Sequence, residues 1–423
     1  MITKKSKQLI EDYGNYFFGG IDLVPNVIKE GKGSFVWDID NNKILDLNAG
    51  QFCSIFGHSW SPLNKIVDKQ LKKITHTSTQ VITPEVLRAA RAVSNICDQM
   101  EGKVLFLSTG SEAVECALRF AKYIKKKSGF VCFDNGYHGL TLGSQSVTFG
   151  GKWAFPKIND IDSITPPVFH ELKKTDQQKA IENCLIELEK IFKRKGQNIA
   201  GFIMEPVISV GGMNFLTKEY CEGIYKLCKK YNIFLIYDEC QTGFGRTGKW
   251  FAYQHYNLAP DILISAKGMG AGFPVSMVVF RNSIINSRNI EISQYSSHQN
   301  DPLSAVIVSM VIDKINRNNL LDRMKNVGEY FLSKLIGLSK KSDFIKNPRG
   351  VGLMLGFDIY KEGLTSYREL GKQFLKDLLD EGVLLQSTSQ GRTYRLLPNY
   401  YVSKQEIDFF INKLEIVISK KGY

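Results

Sequence analysis

The chain has no apolar run long enough to span a bilayer, which predicts that it carries no membrane-spanning segment. Its first residues, MITKKSKQLIEDYGNY, are basic at the start but have no apolar core behind them, so they do not read as a secretory signal. No C-x-x-C pair occurs. Cys53, Cys97, Cys116, Cys132, Cys184, Cys221, Cys228 and Cys240 are scattered, several inside apolar runs where a thiol behaves as a small hydrophobe. That distribution predicts a reduced, cytoplasmic setting. There is no internal repeat and no low-complexity tract. The net charge of +13 would suit a nucleic-acid partner, but the lysines are spread over the whole length. The densest runs, Lys4 to Lys7 and Lys125 to Lys127, lack interleaved aromatics for base stacking. The basic surface therefore reads as solvated and able to steer anionic small molecules, with neither nucleic acid nor membrane as partner.

What is present is the composition expected of a soluble globular protein, 43% hydrophobic and 23% charged over 423 residues, too long for one compact core. Residues 31–48 read as two short strands joined by an Asn-Asn turn. From about residue 103, apolar runs alternate with amphipathic segments, the pattern of βαβ units and a largely parallel sheet. Strand candidates are KVLFL, FVCF, AGFIM, IFLIY and DILIS. In the helix after the first, Ala113, Ala117, Leu118, Ala121 and Ile124 recur at helical spacing. A polar stretch at about 157–180 reads as a loop insertion. Beyond about 310 the pattern changes to strand GLMLGFDIY, helix ELGKQFLKDLLDEG, strand TYRLLP and a last helix opened by Ser403-x-x-Glu406, a capping box. The predicted fold class is α/β. A large domain at 51–310 holds a mostly parallel sheet between helices, and a small α+β domain is built from both chain ends, 1–50 and 311–423.

The strands of the large domain end in residues that carry chemistry. LFLSTGSEA ends in Thr109-Gly110-Ser111 and opens a helix. Free backbone N–H groups beside small hydroxyls suit a phosphate there, although an ordinary helix cap has the same look. VCFDNGYHG places Tyr137 and His138 at a second end, an aromatic that would stack on a flat ring or simply pack. FIMEPV puts Glu205 at a third. In LIYDECQTGFGRTG, Asp238 directly follows the apolar run, with Glu239 beside it and Gln241 just beyond. An acid at the end of a buried strand is costly unless something pairs with it. Metal ligation or general-base work would also use an Asp-Glu pair, but no His or Cys stands at ligand spacing, so no metal is predicted. DILISAKGMGAGFP brings a strand to Lys267 and continues into glycines that let the backbone pass close to something bulky. Open α/β sheets bind ligands at this carboxyl edge. A phosphate cradle, an aromatic platform, a buried carboxylate and a lysine together fit pyridoxal 5′-phosphate (PLP), which binds a lysine amine and needs an acidic partner for its ring nitrogen.

In this order and spacing, STGSEAVECALRFAK, YHG, EPVISVGGM, YDECQTGFGRTG and SAKGMGAGFP resemble the class III aminotransferases of PLP fold type I, over essentially the whole chain. The resemblance implies Lys267 as the Schiff-base lysine and Asp238 as partner of the ring nitrogen. It implies Tyr137 stacked on the ring, with His138 in the same cofactor-binding set, and Gln241 facing the phenolic oxygen. Thr109, Gly110 and Ser111 would hold the phosphate, with Glu205 as support behind the site. In the family a threonine of the neighbouring subunit touches the phosphate; Ser297 in YSSHQNDPLSA stands in that place, which implies a homodimer or a dimer of dimers. Within the class the chain is most similar to 2,2-dialkylglycine decarboxylase, in GSFVWDIDNNKILDLNAGQFCSIFGHSWSP and SSHQNDPLSA. That likeness places Gln51 where the scissile carboxylate is held, and Arg395 in TYRLLPN matches an arginine that binds a substrate carboxylate in many members. Members that accept ω-amino donors often carry a glutamate after the Glu-Pro strand that neutralises this arginine. Val210 stands there in ISVGG, so a substrate carboxylate is the expected partner of Arg395.

The activity implied is PLP-dependent transfer of an amino group between an amino acid and a keto acid, in ping-pong fashion, with Lys267 as general base and acid. The alternatives are decarboxylation-dependent transamination through Gln51 and Arg395, and aminomutase, racemase or phospholyase chemistry on the same cofactor. The expected partners are small-molecule amino and keto acids. Phe17 and Phe18, with the loop THTSTQV, are candidates for lining the substrate pocket or for packing between the domains.

Overall fold

The computed structural model describes residues 4–21, 24, 26–148, 160–285 and 292–423. Its centre is a seven-stranded sheet: β1 (Lys103–Leu107), β2 (Gly129–Phe133), β3 (Ile161–Ile164), β4 (Ile199–Met204), β5 (Phe234–Asp238), β6 (Ile262–Ser265) and β7 (Ser276–Phe280). The spatial order is β1-β7-β6-β5-β4-β2-β3. Strands β6, β5, β4, β2 and β3 pair in parallel, whereas β7 runs antiparallel to both β6 and β1.

The inner strands are near-continuous apolar runs because both faces of the sheet are covered. Ile203, Ile236, Ile264 and Val278 point to one face, beneath helix α1 (Gly110–Lys125), whose Ala113, Ala117 and Ala121 let it approach closely. Their neighbours Leu235, Tyr237, Leu263 and Val279 point the other way into the larger core. Each such branched side chain contributes roughly 1.5–3 kcal/mol by leaving water. Helix α1 starts where Thr109 Oγ1 accepts the Glu112 amide at 3.3 Å and Glu112 Oε2 accepts the Ser108 amide at 2.9 Å. It ends at Lys126, in the left-handed conformation, with Lys122 and Lys125 beside the negative end of the dipole.

The stretch read as a loop insertion at 157–180 is not one over its described part. Ile161–Ile164 pairs with β2 as the sheet edge, and a helix runs from Lys174 to Lys195; residues 157–159 lie outside the described residues. Polarity misled the reading: β3 is a half-exposed edge strand, and the 22-residue helix buries only Ile181, Leu188, Ile191 and Phe192.

The two chain ends share structure. Strands Phe35–Asp38 and Lys43–Asp46 form the expected hairpin, with an unanticipated third strand at Ile28–Lys32. Val383–Leu384 completes that sheet in parallel with Lys43–Asp46, setting Val383 opposite Leu45. A second four-stranded antiparallel sheet takes Ile345–Val351, Met354–Ile359, Thr393–Leu396 and Gln386–Thr388 in that order. Helix α2 (Pro302–Arg317) runs unbroken across residue 310. Helix α3 (Lys404–Lys421) opens with the predicted capping box: Ser403 Oγ accepts the Glu406 amide at 3.2 Å, and Glu406 Oε2 accepts the Ser403 amide at 2.7 Å. No helix of the described residues is long and apolar enough to cross a membrane.

Candidate active site

The parallel strands β1, β2, β4, β5 and β6 all end at one edge of the sheet, and the antiparallel β7 begins there. Ser276, its first residue, donates from Oγ to the Thr109 carbonyl at 2.7 Å. A Cβ on Gly110 would lie 3.2 Å from Cys240 Sγ and 3.5 Å from Ala266 Cβ, so the start of α1 abuts the ends of β5 and β6. Gly139, at φ +120°, lets the turn after β2 close on α1; a Cβ there would meet Ser111 Oγ at 2.3 Å. Ser111 Oγ accepts the Leu140 amide at 3.3 Å.

Asp238 is buried at the end of β5. Its Oδ2 lies 2.8 Å from Nδ1 of His138, whose ring is fully buried, and its Oδ1 accepts the Cys240 amide at 3.0 Å. Burial alone would raise the Asp238 pKa, but the hydrogen bond and charge of His138 and the Cys240 amide outweigh it and hold the carboxyl below its ordinary value. An ionised carboxylate only accepts, so Nδ1 of His138 carries the proton. His138 is thus bonded directly to Asp238. Glu205 accepts the Tyr137 amide at 3.0 Å and the Ser209 amide at 3.3 Å. Burial pushes it up to about 7, with His138 acting against the shift and Asp238 reinforcing it. The phenol of Tyr137 is raised too, by burial first and then by Asp238 and Glu205. These four residues thus form one electrostatic cluster.

Lys267 follows β6 with its backbone at φ +50°. A non-glycine residue in the left-handed region costs of order 1–3 kcal/mol and persists only where the surroundings fix it. Burial raises the thiol of Cys53, and burial with the charge of Asp238 raises that of Cys240; the charge of Lys267 acts against both shifts. Arg395 comes from the strand Thr393–Leu396 and is buried. Its Nη1 donates to Ser209 Oγ at 3.2 Å and to Gln241 Oε1 at a long 3.5 Å, and its Nη2 donates to Gln386 Oε1 at 2.8 Å. Its Nε is buried without a partner, and its Cζ lies 4.9 Å from the Phe52 ring centre. Burial pushes its pKa down to about 10, opposed by Glu205. Every hydrogen-bond acceptor of this guanidinium among the described residues is neutral.

Gln51 is exposed, one residue from Phe52, in a turn where Ala49, Gly50, Gln51 and Phe52 have φ of 43°, 56°, 59° and 70°. Four left-handed residues in succession, three of them not glycine, are rare. The carboxylate of Asp46 accepts amides of this turn and of Asn48 just before it, and sequence reasoning missed it, as it missed Phe52 and Ser209; Glu239 it named, but without the structural role it has here. Glu239 accepts from Thr242 Oγ1 at 2.8 Å and from the Ala252 and Tyr253 amides at 2.5 and 2.9 Å. Burial pushes it up to about 7, and it ties the loop after β5 to residues 252–253. An Asp or Glu two to four residues before Asn or Gly was the available signal for Asp46. Ser297 is exposed in a turn pinned to β1, where Asn300 exchanges backbone and side-chain bonds with Phe106 at 3.0 Å. Phe17 and Phe18 stand out from the single chain, 68% and 93% exposed, and three residues of their segment, 22, 23 and 25, lie outside the described residues.

A mixed sheet with an acid, a lysine and a helix start gathered at its carboxyl edge defines an α/β protein with a cofactor-type site. The chain belongs to the class-III aminotransferases, whose family model matches residues 20–418. It is similar to the acetylornithine aminotransferase of Archaeoglobus fulgidus, 32% identical over 383 residues that cover 90% of this chain and 92% of the relative. It is also similar to the [LysW]-aminoadipate semialdehyde/glutamate semialdehyde transaminase of Sulfolobus acidocaldarius, 30% identical over 96% of each. An aminotransferase of Bacillus anthracis has the same fold, with a TM-score of 0.91 at 23% identity, over 99% of this chain and 100% of that one. An amine transaminase from an uncultivated Pseudomonas species, solved in a PLP-bound form, gives 0.89 at 25% identity over 96% and 98%. The protein is accordingly a PLP-dependent aminotransferase that moves an amino group between an amino acid and a keto acid. Its residues fit that cofactor on their own terms: a buried carboxylate held ionised, a lysine at the adjacent strand end, and a helix start with glycine where a Cβ would crowd Cys240.

Proposed function

We propose that this aminotransferase takes donors that carry a carboxylate, and that Arg395 binds it. The observation that carries this is a buried guanidinium whose hydrogen-bond acceptors among the described residues are all neutral, with Nε unpartnered among them. Such a charge is costly unless a ligand completes it. Val210 supplies no acid beside it. Lys267 would hold PLP, with Asp238 at the ring nitrogen, Tyr137 over the ring, Gln241 toward the phenolic oxygen, and Thr109, Gly110 and Ser111 at the phosphate. When bound, the cofactor supplies a sink for the electrons released at the substrate α-carbon. Lys267 Nζ would take the substrate α-proton as base and give it back as acid. Asp238, kept ionised by His138 and the Cys240 amide, would hold positive charge at the ring nitrogen. Ser297, exposed on the single chain, would reach the phosphate of a second copy, which makes the active unit a homodimer. The eight scattered cysteines, without a disulfide among the described residues, support a cytoplasmic setting. We place the small domain at 1–50 and 311–423, with α2 crossing the second border.

Replacing Arg395 with Ala tests the reading. Losing charge-assisted hydrogen bonds worth about 1.5–3 kcal/mol should raise KM for L-alanine roughly 10- to 100-fold. An unchanged KM would sink it. The likeness to 2,2-dialkylglycine decarboxylase, and Gln51 beside Phe52, support the decarboxylating alternative. 2-Aminoisobutyrate has no α-proton, so its turnover in a single-turnover absorbance measurement would replace proton transfer by loss of carbon dioxide. Turnover of L-alanine alone keeps plain transamination.

A further inference from the structure

We propose that Asp46 is a positioning residue for carboxylate recognition: it holds the left-handed turn 49–52 that sets Phe52 against the Arg395 guanidinium. This rests on the role proposed above for Arg395.

Three L-residues in the left-handed region do not stay there unaided. Inside the turn, the Phe52 amide donates to the Asn48 carbonyl at 2.8 Å and the Ser54 amide to the Ala49 carbonyl at 2.9 Å. Asp46, 3% exposed, supplies the rest. Its Oδ1 accepts the Asn48 amide at 2.8 Å, its Oδ2 accepts the Gly50 amide at 3.0 Å, and Nε2 of His58 lies 2.8 Å from the same Oδ2. One carboxylate therefore gathers three donors, one inside the turn, one from Asn48 just before it and one from a ring fixed elsewhere. His58 is fixed by two backbone hydrogen bonds with Gly33, at 2.9 and 3.1 Å, and by Gly31, where a Cβ would come within 2.8 Å of its own Cβ.

The turn is also joined to the strand that carries Arg395. The Leu397 amide donates to the Leu47 carbonyl at 2.9 Å, and the Leu47 amide to the Leu384 carbonyl at 3.2 Å. Phe52, 4% exposed, packs among Val207, Met213, Met354 and Leu397. Its ring lies against the guanidinium, and an aromatic face fixes the plane of an arginine. A planar carboxylate is recognised best by a guanidinium held in one plane. Asp46 thus acts at a distance, through Phe52, on how Arg395 presents itself to donors whose amine sits next to a carboxylate. Plain amines do not use this contact.

Asp46→Asn keeps the side-chain shape and removes the charge that gathers the three donors. KM for L-alanine should rise about tenfold with kcat within about threefold, and the inhibition constant of propionate should rise by the same factor. KM for isopropylamine and the visible absorbance of the cofactor should not move, while the urea midpoint should fall, since the buried carboxylate loses part of its three hydrogen bonds. An equal change for isopropylamine and L-alanine, or no change in the propionate constant, overturns the assignment. Should Asp46→Asn fail to fold, His58 takes its place. His58→Leu should show the same selective loss, and His58→Gln, which keeps a donor toward Asp46, should restore most of it; equal behaviour of the two overturns the assignment. Arg395→Ala separates the two proposals. If it leaves the propionate constant unchanged, the Arg395 reading fails and takes this one with it. If it weakens propionate and Asp46→Asn does not, only the role of Asp46 falls.

Discussion

The pairing of His138 with Asp238 sets a coupling whose size follows from its geometry and whose pH dependence follows from the depressed Asp238 carboxyl. The two side chains are 0% and 4% exposed and meet at 2.8 Å, so water cannot replace either partner. A hydrogen bond to an ionised group contributes about 1.5–3 kcal/mol, and the Cys240 amide at 3.0 Å remains on the other oxygen after His138 is removed. His138→Leu, Asp238→Asn and the double variant form a cycle that isolates this contact. The expected coupling is about 1.5–3 kcal/mol at pH 7, read from urea unfolding of the cofactor-free proteins. The sign with pH follows from Asp238, whose folded pKa is depressed below its ordinary value. A depressed carboxyl contributes stability that is fully present above its unfolded pKa of about 3.9 and is lost as pH falls through the lower folded value. The coupling should therefore still be present at pH 5. A coupling below about 0.5 kcal/mol at pH 7, or one that disappears by pH 5, refutes the ionised, His138-bound carboxylate.

Glu205 titrates the opposite way: burial lifts it from 4.5 to about 7, so the stability it contributes is full below its unfolded pKa and drains away as pH rises through about 7. That gap corresponds to about 3 kcal/mol at most, so Glu205→Gln should flatten the stability profile between about pH 4.5 and 7 and gain on the parent at pH 8; parallel profiles for the two proteins would refute the shift. Gly328 lies in the helix Leu320–Ser339, where an added Cβ would sit 1.9 Å from the Gly352 carbonyl oxygen. Gly328→Ala should thus cost about 3 kcal/mol by forcing two backbones apart, and a thermal midpoint within a degree of the parent would show that this contact yields.

How much of this was legible in sequence depends on whether a feature is local. The ends of β1, β2, β4, β5 and β6 were readable because each is a buried apolar run cut off by a polar residue. Strand β7 was not, since SMVVF follows the glycine chain with nothing to signal a reversal of direction. The helix Lys174–Lys195 was half missed because its apolar face is narrow. Thr109, Asp238 and Lys267 came from position at strand ends, but the contact between His138 and Asp238 joins residues 100 apart and has no sequence spacing to betray it. Asp46 was faint for a different reason: two of its partners are backbone amides, which carry no residue type, and the third, His58, lies 12 residues away, so only its spacing to Asn48 and Gly50 could have marked it.

The reversal of β7 also governs what can move. Residues 266–275 leave the sheet at β6 and return ten positions later to the neighbouring antiparallel strand, and Ser276 is clamped to the Thr109 carbonyl at 2.7 Å. Met269, Gly270, Ala271 and Val275 within that span are buried. The segment is exposed at Gly272 and Pro274 but held at its two ends and by the buried residues between. The Lys267 amine therefore moves on its own four-carbon stem from an anchored backbone, like a crane on a fixed mast.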